Sequence, residues 1–142
     1  VACGPSRPAV ARMWTGAYAW ALELDTMSDA TASNADVLRD DPLLREVVRR
    51  LVAVFEPERV FLFGSRARGP GGADSDYDLM VIVPDDAAPE RRRSGRAYEA
   101  LWGLRMSTDV LVWTRSAFEQ RLHLAASLPT TIVRKGTLLH AA

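Results

Sequence analysis

The sequence predicts a single α/β domain, in which a small mixed sheet is flanked by helices that cover mainly one of its faces. Two observations support this prediction: short β-prone runs alternate with helical segments, and no internal repeat occurs after residue 41. The composition agrees, because 142 residues with 48% hydrophobic and 25% charged residues suit one compact domain with its own core.

The first predicted element is a helix that begins at Asp41 and Pro42. An aspartate followed by proline is typical of a helix N-cap and the first helical position. Apolar residues then recur at spacings of three and four, which predicts one buried stripe. They are Leu43, Leu44, Val47, Val48, Leu51 and Phe55. Pro57 ends this helix, since proline does not continue a helical hydrogen-bond pattern.

Three strands are predicted after this helix, at residues 59–63, 77–83 and 108–113, because each run is rich in β-branched, aromatic or other large apolar residues. Residues 64–75 contain four glycines, a proline and two arginines, so we expect a loop there, with room for a short helix starting at Ser65.

The remaining segments have helical spacing. Residues 88–104 predict one helix between the second and third strands. Ser116 with Glu119 three residues later is a capping box, which predicts another helix directly after the third strand. One or two further helical turns are expected at residues 130–135, ended by Gly136.

Residues 1–40 are expected to form an N-terminal extension, with the domain proper at residues 41–142. The chain starts with valine, and Met27 opens a polar run, so one interpretation is that translation starts at Met27 and residues 1–26 lie upstream of it. Disorder is a second interpretation. A third is an amphipathic helix that docks on a partner, because four residues share one helical face. They are Trp14, Tyr18, Ala21 and Leu22.

The charges and the single cysteine exclude several classes of protein. Since 18 Lys and Arg balance 18 Asp and Glu, the chain lacks the excess positive charge with which proteins coat nucleic acid, and no direct nucleic-acid binding is expected. Cys3 alone forms neither an intramolecular disulfide nor a cysteine-based zinc cluster, so we expect a cytoplasmic location. No run reaches the roughly 18 apolar residues of a membrane helix, and no membrane association is expected.

A glycine-rich segment, Gly64 to Gly69, directly follows the first predicted strand. Glycine permits close approach to a phosphate, and a helix starting there would offer free backbone amides. The segment lacks the Lys-Ser/Thr pair of a P-loop and does not match the dinucleotide-binding fingerprint. If the glycines and free amides bind a nucleotide, we expect Ser65 and nearby amides to hold its β- and γ-phosphates. Arg66 or Arg68 would then offset charge on a leaving pyrophosphate.

Three carboxylates form the second candidate motif. Asp76 and Asp78 are two residues apart at the start of the second strand, so both point to one face of the sheet. Asp109 opens the third strand, and a neighbouring strand would place it beside this pair. Three such carboxylates supply a site for two Mg²⁺ ions about 4 Å apart, as in nucleotidyl transfer.

Taken together, Gly64-Ser65, Asp76-Tyr77-Asp78 and Asp109 resemble the motif of the DNA polymerase beta nucleotidyltransferase superfamily, most closely its minimal nucleotidyltransferase branch. The resemblance covers residues 41 to about 139. It implies that Asp76 and Asp78 bind both Mg²⁺ ions, and that Asp109 binds the catalytic ion and helps to deprotonate the acceptor hydroxyl. It also implies that Gly64 and Ser65 bind the triphosphate of ATP.

The resemblance also implies a partner. Minimal members of this superfamily act as antitoxins beside a HEPN-domain toxin and transfer AMP from ATP to a toxin tyrosine, which implies a HEPN toxin partner and a hetero-oligomer with it. The length supports a protein partner, since the predicted strands and helices leave too few residues for an acceptor-binding domain. Two alternatives are a transferase acting on a small, antibiotic-type molecule and an antitoxin that only binds its partner.

Several of these residues also have ordinary structural interpretations. The Asp76–Asp78 pair by itself is typical of a solvated turn before a strand. Tyr77 is expected to point into the core, with self-modification as the alternative. Trp102 and Trp113 are expected to be core or partner-facing residues. The arginines at 91–93 are typical of the exposed face of a helix, with contact to RNA, ATP or an acidic partner as the alternative.

Overall fold

A computed structural model describes residues 36–64 and 76–142. The described residues form a mixed α/β structure, which confirms the predicted fold class. Its elements are α1 (Pro42–Phe55), β1 (Arg59–Phe63), β2 (Tyr77–Val83), a 3₁₀ turn (Pro89–Arg92), α2 (Gly95–Ala100), β3 (Thr108–Thr114), α3 (Arg115–Glu119), α4 (Leu128–Lys135) and β4 (Thr137–Ala141). Residues 36–40 form a helical turn before α1.

The four strands form one sheet in the order β3-β2-β1-β4. β1 is antiparallel to both β2 and β4, whereas β2 and β3 are parallel. Parallel neighbours need a long crossover, which residues 84–107 provide with the 3₁₀ turn and α2. The sheet is therefore mixed, as the sequence predicts, and β2 is an interior strand.

Helix α1 begins as its sequence predicts. The Asp41 side chain caps it, because Oδ1 accepts a hydrogen bond from the Leu44 backbone N–H at 3.0 Å. The helix ends at Glu56, which adopts the left-handed conformation with φ of 46° and donates its N–H to the Val52 carbonyl. Its buried stripe comprises Leu44, Val47, Val48, Leu51 and Phe55.

Helices cover both faces of the sheet, so the expectation that they cover mainly one face is wrong. Leu79 and Val81 of β2 pack in a cluster with α1 and α2. Met80 and Ile82 point to the opposite face and pack with α3 and α4. An uninterrupted apolar run such as residues 79–83 of β2 is typical of a sheet that is buried on both faces.

The predicted helix at residues 88–104 is interrupted, which corrects that prediction. A 3₁₀ turn and the six-residue α2 replace it. The Arg92 guanidinium donates to the carbonyls of Ala87 at 2.9 Å and Asp85 at 2.7 Å. These bonds fold the segment back on the end of β2, so the local helical spacing does not extend through it.

The predicted cap of α3 is also wrong. Thr114 is the N-cap, and its Oγ1 accepts from the Ala117 N–H at 3.3 Å. Ser116 donates both its hydroxyl and its backbone N–H to the Asp85 carboxylate instead. A tertiary partner therefore takes the hydroxyl that the sequence assigns to a local cap.

The boundaries of the elements in the C-terminal part differ from the predicted ones. Helix α4 begins at Leu128, two residues before the predicted start, and Ser127 caps it by accepting from the Thr130 N–H at 3.3 Å. Gly136 follows the helix as expected, and the short strand β4 then pairs with β1. Among the described residues, no helix is long and apolar enough to cross a membrane.

Candidate active site

The strand register brings two of the three predicted carboxylates together. In the parallel pair, Asp78 of β2 lies directly opposite Asp109 of β3. Paired residues on neighbouring strands project from the same face of a sheet, so these carboxylates are neighbours. Asp76 precedes β2 by one residue and has the same parity as Asp78, which assigns it to the same face of the sheet.

Gly64 completes the described part of the site from the other side of β2. It directly follows Phe63, which pairs with Asp78 in the antiparallel β1–β2 ladder. Its φ is +76°, and a β-carbon at this position would overlap Asp78 Oδ2 and lie 3.2 Å from Asp78 Cγ. Glycine is therefore required here both for the backbone conformation and for the close contact with the carboxylate.

The electrostatic surroundings of Asp78 disfavour its charged form. The pKa of Asp78 is raised, first by burial and then by the charges of Asp109 and Asp76. Asp78 is half-buried, whereas Asp76 and Asp109 are exposed. A cation bound here would relieve this repulsion, and the exposed acids leave the site open to a substrate.

This donor set fits Mg²⁺ that is held jointly with a substrate. Among residues 36–64 and 76–142, no group of three or more His, Cys, Asp or Glu side chains is arranged to hold a metal ion. Mg²⁺ keeps several waters and usually binds through one or two carboxylates together with substrate phosphates. Asp76, Asp78 and Asp109 supply the oxygen atoms and the negative charge that this mode requires.

The comparison with known protein families decides the identity of the domain. A family model described as a nucleotidyltransferase domain matches residues 43–138, which include Gly64 and all three aspartates. The chain belongs to the nucleotidyltransferase domain family. This membership confirms the superfamily that the motifs resemble.

Other comparisons add less to the description of this nucleotidyltransferase. One chain of the crystal structure of a mutant MntA–HpeT toxin–antitoxin complex is 18% identical to it, with a TM-score of 0.41. The match covers 67% of this chain and 71% of that chain. No curated protein matched the sequence.

Three of the predicted nucleotide-binding residues of the nucleotidyltransferase, Ser65, Arg66 and Arg68, lie outside the described residues. Their roles stay predictions. Gly64 is the described end of this segment, and its backbone contacts the Asp78 carboxylate.

Tyr77 lies in the core of the nucleotidyltransferase domain, which confirms its structural interpretation. It is 7% exposed and packs on the face opposite the aspartates. Its hydroxyl donates a hydrogen bond to Asp41 Oδ2. The sequence indicates Asp41 only as a helix cap, and no local pattern indicates its contact with a residue 36 positions away.

Trp102, Trp113 and the arginines at 91–93 differ in their exposure. Trp102 is 85% exposed, so it is not a core residue of the nucleotidyltransferase. Trp113 is half-buried, with the Arg121 guanidinium 5.0 Å from its ring centre. Of the arginines at 91–93, Arg91 pairs with Glu56 at 2.7 Å, which agrees with a surface interpretation.

Proposed function

We propose that this nucleotidyltransferase transfers AMP from ATP to a tyrosine hydroxyl of a HEPN-domain toxin. By this modification it would act as an antitoxin. One observation carries the proposal: Asp78 lies opposite Asp109, with the Gly64 backbone against the Asp78 carboxylate, inside a nucleotidyltransferase domain. This arrangement is suited to hold cations and phosphates at the same place.

The proposed metal ligands are the three aspartates. Asp76 and Asp78 would hold two Mg²⁺ ions, and Asp109 would hold the ion nearest the acceptor. Bound Mg²⁺ withdraws charge from the phosphates and lowers the pKa of an attacking hydroxyl. The raised pKa of Asp78 supports this assignment, because a site that disfavours its own negative charge favours a bound cation.

The proposed chemical step is a substitution at the α-phosphorus of ATP. The acceptor oxygen forms a bond to the α-phosphorus, and the bond from phosphorus to the bridging oxygen of pyrophosphate breaks. Pyrophosphate leaves with that electron pair, and the acceptor proton passes to the Asp109 carboxylate and then to water. Asp109 is exposed, so it can exchange this proton with solvent.

Gly64, Ser65 and two arginines are proposed to hold the triphosphate. The Gly64 backbone lies against the Asp78 carboxylate, so a phosphate held at Gly64 would lie beside a proposed metal ligand. Ser65 would donate to phosphate oxygens. Arg66 or Arg68 would offset the negative charge that develops on pyrophosphate.

Exposed aromatic residues support a protein acceptor. Trp102 is 85% exposed and Tyr98 is 55% exposed, and both line an open cavity of about 460 Å³. Tryptophan and tyrosine are enriched among the residues that dominate protein interfaces. We propose that these two aromatic side chains contact the toxin.

A labelling experiment tests the proposal. The chain is incubated with α-³²P-labelled ATP and Mg²⁺, alone, with the protein encoded by the adjacent gene, and with small hydroxylated molecules. We expect label on the neighbouring protein, lost with Asp78→Asn and kept with Asp86→Asn, which changes an exposed acid beyond the other end of β2. Label confined to a small molecule would reject the antitoxin role.

The same variants separate catalysis from simple binding. Cells that express the neighbouring toxin are given the unmodified chain or Asp78→Asn. We expect protection to be lost with the variant while the folded protein still accumulates. Full protection by folded Asp78→Asn would show that the chain neutralises its partner only by covering it. Competition with GTP, CTP and UTP then measures the nucleotide preference.

A further inference from the structure

Tyr77 lies between the two proposed metal ligands of β2 but faces away from them. Its side chain points into the core on the α1 side of the sheet, whereas Asp76 and Asp78 belong to the opposite face. A phenylalanine would fill the same apolar space. The tyrosine hydroxyl instead bonds to Asp41 Oδ2, and this bond links the strand to helix α1.

Asp41 is a fixed point for this link. Its Oδ1 accepts from the Leu44 N–H at 3.0 Å, and its backbone N–H donates to the Val37 carbonyl at 3.1 Å. Its own carbonyl accepts from the Arg45 N–H at 3.0 Å. Because Leu44 is 1% exposed in the core, the helix start that holds Asp41 is anchored by packing as well as by hydrogen bonds.

The backbone of Tyr77 is tied to the strand that holds the third aspartate. Its N–H donates to the Ser107 carbonyl at 3.0 Å, and Tyr77 is paired with Thr108 in the β2–β3 register. Asp76 precedes β2, so its position depends on the residue that follows it. Fixing Tyr77 at both its side chain and its backbone thus fixes the direction in which Asp76 and Asp78 project.

We propose that Tyr77 and Asp41 form a brace that positions Asp76 and Asp78 for divalent cations. The Asp41–Tyr77 brace touches neither cation nor substrate, so both are positioning residues. Partners that hold metal ligands in place typically change metal affinity or activity by about 10- to 100-fold when they are removed. The brace rests on the proposed function only in taking these aspartates as the metal ligands.

The test measures Mn²⁺ binding by electron paramagnetic resonance, with a non-hydrolysable ATP analogue present. We expect Tyr77→Phe to weaken Mn²⁺ binding by about 10-fold. Ser116→Ala is the matched control, because it also removes a hydroxyl that donates to a carboxylate, but beyond the opposite end of β2. We expect this control to lose stability and to bind Mn²⁺ as the unmodified chain does.

A second variant separates the brace from helix capping. Serine is as good an N-cap as aspartate, but it is too short to cap the helix and bond Tyr77 together, so Asp41→Ser should keep α1 and remove the brace. We expect it to reproduce the loss of Mn²⁺ affinity. The double variant Asp41→Ser/Tyr77→Phe should be no weaker than either single variant, since both remove the same interaction.

The outcomes distinguish the brace from the proposed function. Unchanged Mn²⁺ affinity in folded Tyr77→Phe and Asp41→Ser, or additive losses in the double variant, would overturn the brace whatever the activity. Coupled losses of affinity without any nucleotidyl transfer would reject the proposed function and support the brace. If the unmodified chain binds no Mn²⁺, both are overturned. If Tyr77→Phe fails to fold, Asp41→Ser alone decides.

Discussion

The backbone of Gly64, directly after β1, is packed against the carboxylate of Asp78 in β2. A β-carbon would overlap Asp78 Oδ2, and the backbone φ of +76° already disfavours any other residue. The end of one strand and the acidic residue of the next therefore form a single structural unit. This unit makes the site sensitive to the smallest side-chain addition.

Gly64→Ala should lower stability and displace the Asp78 carboxylate. The left-handed backbone alone costs about 1–2 kcal/mol for a residue with a β-carbon, and the overlap adds to it. Gly103→Ala is the matched control, since its φ is +88° and nothing lies within 4 Å of the added carbon. Urea unfolding and Mn²⁺ titration of both variants measure the difference. Equal stability losses with Mn²⁺ binding kept in both would contradict the contact.

Asp78→Asn should stabilise the metal-free protein while abolishing metal binding. Burial and the neighbouring aspartates raise the pKa of Asp78, so the folded state binds its proton more tightly than the unfolded state does. The stability from this group is therefore complete below the ordinary pKa of 3.8 and is lost as the pH rises through the raised folded value. Substitutions that improve the charge balance of a protein typically add about 0.5–2 kcal/mol to its stability.

Thermal unfolding in EDTA at pH 7.5 and at pH 3 measures this effect. We expect Asp78→Asn to melt above the unmodified chain at pH 7.5, with the gap closing in acid. A variant that melts at a lower temperature than the unmodified chain at pH 7.5 would show that the Asp78 charge does not destabilise the metal-free protein.

Ser116→Ala should make the free energy of unfolding less dependent on pH in the acidic range. The Ser116 hydroxyl is the largest cause of the lowered pKa of Asp85. A lowered folded pKa contributes stability above 3.8, which is lost as the pH falls through the folded value. Since the Asp85 side chain is 40% exposed, solvent screening limits the loss at pH 7 to about 1 kcal/mol.

Chemical denaturation from pH 7 down to pH 2 checks the prediction for Ser116→Ala. The two stability curves should converge at the acidic end, where Asp85 is protonated in both proteins. A constant difference across the whole range would mean that the hydroxyl stabilises the fold without involving the Asp85 charge.

Thr130→Val should destabilise the packing of α4 more than the neighbouring change Thr131→Val does. Thr130 is 2% exposed, and its hydroxyl lies 2.8 Å from the Leu124 carbonyl and 3.0 Å from that of Leu122. Leaving such a buried acceptor unpaired costs about 1–3 kcal/mol. The Thr131 hydroxyl also bonds a backbone carbonyl, but it is exposed and water can replace it. Urea unfolding with unchanged m-values compares the two, and equal losses would reject this explanation.

Local sequence patterns predict the helices and strands of this fold better than they predict the contacts between them. The Asp41-Pro42 pair and its apolar repeat predict α1 because capping and amphipathicity are local properties. Ser116 is assigned wrongly because its acceptor, Asp85, lies 31 residues away in the chain. The spacing of two residues between Asp76 and Asp78 is a local property, and it predicts that both lie on one face of the sheet. The pairing of Asp78 with Asp109 depends instead on the sheet register, which the local sequence does not give.

The continuous apolar run of β2 could have indicated two covered faces, but periodicity alone does not say which helices cover them. The Asp41–Tyr77 bond has no sequence signature, since it joins a helix cap to a core residue through tertiary packing. Membership in the nucleotidyltransferase family was predictable from the joint spacing of Gly64-Ser65 and the aspartates, because that chemistry constrains residue types at fixed intervals.

The parallel pairing of β2 with β3 has a consequence for the order of folding. The β1–β2 hairpin is comparatively local, but Asp109 reaches Asp78 only after the crossover at residues 84–107 has been formed. Closing such a connection lowers the entropy of the chain before the strand pairing contributes any stabilising free energy. Long-range parallel contacts therefore form late. We therefore expect the carboxylate pair to assemble in the final, rate-limiting stage of folding. A nascent or partly unfolded chain would then be unable to catalyse nucleotidyl transfer until its sheet is complete.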